Sequence, residues 1–257
     1  MTIGAFAFMI AVCSACSSGD RNCARVSGKQ SSDICTLSDT LVIMENIEKL
    51  GDLFSQIVEN YNTFASSWKN LPLAREAFDL MRDSIPMRVS GELTPYTRIV
   101  LLDKMIGCLQ ERDCARLIME IREYQLSLFP LMSPDDIKED IDIDEYEGPQ
   151  DEYVREMTKK DIKEAMKRTE DYLNPRISME KWCEKYDVHL KFDPVERSEE
   201  WENVIYDVEL ECARLLKDEP KHMGFCFSYW STKTAVLARR GIDWSSPSVM
   251  NPRVMFD

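Results

Sequence analysis

A chain of 257 residues with 44% hydrophobic and 30% charged side chains can bury a core and is too apolar to be disordered. Its net charge of −14 sets a field that repels phosphate backbones and anionic membrane surfaces, so nucleic acid is not an expected partner and a basic one is favoured. Nine cysteines are too few to define a disulfide scaffold at this length, and they contain no paired Cys-x-x-Cys units of a zinc ribbon.

In chain order, residues 3–15 (IGAFAFMIAVCSA) are apolar or small. That run is shorter than the ~20 residues a spanning helix needs, and it has the length of a signal-peptide apolar region. Ser14-Ala15-Cys16 follows, and then small polar residues to Asp20. This N-terminus resembles a bacterial lipoprotein signal. The resemblance covers the targeting segment, residues 1–16, and implies lipidation of Cys16 and a place in the cell envelope, membrane-anchored or periplasmic. An ordinary cleaved signal and a cytoplasmic chain are the alternatives. Residues 17–35 have no periodicity and read as a flexible tether.

The region 36–132 reads as helical. Ser38 is a good N-cap, and apolar residues from Leu41 to Trp68 recur at gaps of three and four, which predicts one helix of about eight turns. Ala74, Ala77, Phe78 and Met81 form a second stripe before Pro86. Thr94-Pro95 caps a third helix, carrying Tyr96, Ile99 and Leu102. Asp113 is the expected cap of a fourth, with Leu117, Ile118, Ile121 and Leu128 inward. Short connections make this a bundle-like N-terminal half.

Residues 133–152 are strongly acidic and read as a solvated linker or loop. Asp140, Asp142 and Asp144 have the spacing of the first ligands of a calcium loop, and Asp151 falls at its twelfth position. The sharp turn between them needs Gly, however, and the chain has Glu145. They are weak metal candidates only.

The region 153–257 reads as a helical half with minor β. Ser178 and Ser198 are caps, and Trp201, Val204, Val208, Cys212 and Leu215 form one stripe. Val188–Phe192 alternates with period two and predicts a strand, for which Arg253–Phe256 or Met87–Val89 could be the partner. The tail from His222 is rich in aromatics. Arg239-Arg240-Gly241 reads as a helix end and Ser246-Pro247 as the start of one more turn. Tyr229, Trp230 and Trp244 are candidate binding residues, although aromatics at helical spacing more often form core. Overall the fold class is mainly α: a bundle-like half plus a helical half with minor β.

Little points to catalysis. There are two histidines, no G-x-S-x-G elbow, no phosphate loop and no dinucleotide fingerprint. His222 and Cys226, four apart, would share a face only if a helix began before them. No cofactor is expected. The favoured function is a non-enzymatic, exported and lipid-anchored binding or scaffold protein with a protein partner. The alternative is a soluble acidic inhibitor of the immunity type, neutralising a basic partner.

Overall fold

The computed structural model describes residues 37–63, 67–88, 93–137 and 150–256. Among these, the regular structure is entirely helical, with nine α-helices, short 3-10 turns and no strand. None of these helices is long and apolar enough to cross a membrane. Residues 3–16, Asp140, Asp142 and Asp144 lie outside the described residues.

The first half packs α1 (Leu37–Asn62), α2 (Asn70–Asp79), α3 (Pro95–Ile106) and α4 (Ala115–Leu128) around one core. Phe54, Ile57, Phe78, Met81, Leu102 and Ile121 are its most enclosed side chains, all from the stripes that the periodicity marks. The first helix is shorter than its pattern: it stops at Asn62, and Trp68 sits in a separate 3-10 turn, Ser67–Lys69. Buried Asn70 helps to lock this corner. Its amide donates to the carbonyls of Ile57 at 2.9 Å and Cys108 at 3.1 Å, and its oxygen accepts from Asn60. The third helix starts as expected, with Thr94 Oγ1 accepting from the Thr97 amide at 3.2 Å and Pro95 at the first position. Arg98 on α3 is fully buried and donates to the carbonyls of Met81, Ile85 and Pro86, closing the end of the π-turn Leu80–Ser84 that extends α2.

Asp113 does not cap the fourth helix. It ends a 3-10 turn, Glu111–Asp113, and the cap position belongs to Cys114, which makes no side-chain cap bond. The carboxylate is instead taken by the indole of Trp201, at 3.1 Å.

The second half is built from α5 (Gln150–Leu173), α6 (Met179–Lys185), α7 (Glu199–Leu215), α8 (Phe225–Arg239) and the single turn α9 (Pro247–Met250). Ser178 and Ser198 cap α6 and α7, accepting from Lys181 at 3.4 Å and Trp201 at 3.1 Å. The expected α7 stripe is displaced at its end: Ile205 is buried, whereas Leu215 is 53% exposed. α8 ends in a Schellman motif, in which Ile242 N donates to Leu237 O and Gly241 N to Ala238 O. Gly241 has φ 79°, the left-handed geometry that needs glycine there.

The strand expected at Val188–Phe192 is absent. Among the described residues no backbone ladder pairs with it. The Asn251 side chain does a partner's work, accepting from Lys191 N and donating to Lys191 O, both at 2.9 Å. One amide satisfies the two backbone groups that a ladder would otherwise have paired. The fold is therefore all-α in its described part, not α with minor β.

The halves meet along α4 and α5, where Leu128, Phe129, Val154 and Ile162 share one apolar cluster, and at the turn Glu111–Asp113. Glu111 accepts from Thr169 on α5, Arg112 pairs with Glu196 at 2.8 Å, and Asp113 accepts from Trp201 on α7. One turn further on, Arg116 pairs with Glu202 at 2.8 Å.

Candidate functional site

The buried face of α7 contains a charge. Trp201, Ile205, Val208 and Cys212 are apolar, but Glu209 lies with them at 6% exposure. A buried carboxylate needs a partner, and α8 supplies two. Lys233 Nζ and the Tyr229 hydroxyl each donate to Glu209 Oε1 at 2.6 Å. The Lys233 ammonium also lies 4.9 Å from the Trp201 ring centroid, 5.4 Å from that of Trp244 and 5.7 Å from that of Tyr229. Three aromatic faces and a carboxylate thus enclose one cation.

The segment 193–197 and the tail complete the cluster. Asp193 caps the 3-10 turn Pro194–Arg197, which buries Glu196. Glu196 accepts from the Trp244 indole at 2.9 Å and from Arg112 at 2.8 Å, and Arg112 lies 3.8 Å over the ring of Phe192. Asp193 also accepts from Ser245 N at 2.7 Å, which fixes the entry of the tail.

Burial disfavours the charged forms here, and paired charges oppose it. Desolvation raises the Asp113 carboxyl, with Lys233 acting against the rise. Glu196 is raised in the same way, with Arg112 opposing. Burial alone would lower the Lys233 amine, but Glu209 and Asp113 outweigh it and hold the ammonium charged. Burial, with Glu209 beside it, lifts the Tyr229 phenol far above its ordinary value. The Cys212 thiol is pushed up to about 11, again chiefly by burial.

Above this cluster lies a cleft of about 750 Å³, bounded by α7, α8, the turn Glu111–Asp113 and the turn Ser67–Lys69. Four of the chain's five tryptophans line it: Trp68, Trp201, Trp230 and Trp244. Lys217, Lys221 and His222, from the α7–α8 connection, line it as well. The volume is within the ~300–1,000 Å³ range typical of small-molecule sites. A depression of about 350 Å³ on α5 is lined only by Lys and Glu side chains of that one helix, and a single helix face cannot enclose a ligand.

All three candidate binding aromatics, Tyr229, Trp230 and Trp244, come together at this cleft. His222 and Cys226 line it too, but α8 begins at Phe225, so they do not share a helical face. His222 Nδ1 faces the Met223 carbonyl at 2.7 Å. No group of three or more His, Cys, Asp or Glu among the described residues could hold a metal ion. Sequence reasoning missed Asp113, Glu196, Glu209 and Lys233. Glu209 and Lys233 did carry a signal: each is a charge on the apolar stripe of its helix, and Lys233 falls four residues after Tyr229. Glu196 carried none. No known protein family, curated protein or solved structure matches the chain.

Proposed function

We propose that the chain is a non-enzymatic, ligand-binding protein whose site is the cleft between α7 and α8. The observation that carries this reading is the combination of a roomy, tryptophan-lined wall and interior charges that are already spoken for. General acid–base work needs a group free to exchange a proton with substrate. Glu209 holds two donors and Glu196 two more, while Lys233 is kept as an ammonium inside its aromatic box. A thiol raised to about 11 is a poor nucleophile at neutral pH. Such a site favours recognition over turnover. A preformed wall also lowers the entropy lost on binding.

The Ser14-Ala15-Cys16 pattern supports placing this binding protein in the cell envelope, tethered by a lipid on Cys16. The cleft itself is tested by native mass spectrometry of protein purified gently from its own host. A non-covalent small ligand is expected, released on unfolding and missing from Ala213→Phe, which fills the cleft from an exposed position on α7. Equal ligand loading in the wild type and in that variant would move the site elsewhere.

A further inference from the structure

We propose that the cleft takes a small amphipathic anion, with an aromatic or aliphatic body against its tryptophans and a single negative group at Lys217 and Lys221. The inference rests on reading the cleft as the ligand site and adds the chemistry of the occupant.

The argument is a charge balance over the ionisable side chains that line the cleft. Arg112 is matched by Glu196, and Lys233 by Glu209. Asp113 is held inside by the Trp201 N–H, and its charge acts on Lys233. Of the remaining basic groups His222 faces the Met223 carbonyl, which leaves Lys217 and Lys221 as the unmatched cations. Lys221 has no ion-pair partner among the described residues. Lys217 has only its neighbour Asp218, at 3.8 Å with a side chain 90% exposed, a pair that solvent screens. The acids of the same connection, Asp218 and Glu219, do not line the cleft.

In a chain of net charge −14 the mouth of this cleft is therefore locally positive. The overall field does not cancel it, because at physiological salt distant charges fade over ~8 Å while a ligand headgroup at the mouth contacts the lysines directly. The opposite occupant, an organic cation, fits poorly. The aromatic box that would receive it is filled by Lys233, which would also repel it. The apolar lining sets the rest of the ligand: Trp68, Phe225, Trp230 and Leu216 offer ring faces and aliphatic surface.

Three probes with one body test the charge: phenylbutyrate, phenylbutanol and phenylbutyltrimethylammonium, each titrated into the full chain and followed by tryptophan fluorescence. The anion is expected to bind tightest, about five- to ten-fold better than the alcohol, as two partly solvated charges provide. Lys217→Gln with Lys221→Gln should erase that preference and leave the alcohol's affinity unchanged. Equal or tighter binding of the cation, or a preference that survives the double variant, overturns the anion assignment and leaves the cleft as the site. If no probe gives saturable quenching that Ala213→Phe abolishes, both readings fall.

Discussion

Asp113 joins the two halves of the molecule through a single hydrogen bond to Trp201, yet the bond does not require its charge. Burial holds its carboxyl above the ~3.9 of an unfolded chain. Below about pH 4 the group is protonated in both states, and the fold keeps the full benefit of that neutral form. As pH rises from there, the unfolded chain ionises freely while the buried acid resists, so the native state loses stability until the folded value is passed. Asp113→Asn is neutral throughout and keeps an oxygen for the indole. Its melting temperature is therefore expected to gain on the wild type as pH rises above about 4. A gain that is largest at pH 4 and shrinks toward pH 7 would contradict this. At this scale the apolar positions were legible, because burial follows period. Asp113 was misassigned because acidic residues before a helix usually cap it, and nothing local reveals an indole 88 residues away.

Among the elements, the tail after α8 is the clearest case of a short segment with several anchors. Trp244 covers Glu196 and one side of the Lys233 box, Ser245 N bonds Asp193, and Asn251 latches Lys191. Truncation after Gly241 removes all three and leaves Glu196 without its indole donor. Loss of a buried tryptophan alone costs about 3–5 kcal/mol, so a clear fall in the urea midpoint is expected. An unchanged midpoint would show that the tail only decorates the surface. Gly241 and Ser246-Pro247 were readable as punctuation because positive φ and a fixed proline φ are properties of single residues. The false strand had the opposite character. A five-residue alternation fits any extended segment, and whether it becomes a strand depends on a neighbour that the local sequence does not name.

Over the whole molecule, the site was half legible. Its aromatics were visible as a concentration in the tail, and they do meet at the cleft. The charges beneath them were not, since each pair forms between elements: Glu209 and Lys233 are 24 residues apart, and Arg112 and Glu196 are 84 apart. Pairing of that kind depends on packing, which periodicity along one helix does not describe. The proposed location is testable on the same scale. Cys16→Ala should move the protein from the membrane fraction to the soluble fraction, and unchanged partitioning would remove the lipid tether from the reading.

The turn Glu111–Asp113 also has a place in time. Its partners Glu196 and Trp201 are 84 and 88 residues further along the chain, and Arg116 reaches 86 residues to Glu202. Contacts this distant must close long loops, so they form after the local helices rather than with them. A chain made from its N-terminus finishes α1 to α4 before any of those partners has left the ribosome. During that interval Arg112, Asp113 and Arg116 lack the partners they have in the finished fold. Arrival of the turn Pro194–Arg197 and α7 supplies those partners and closes the cleft's floor.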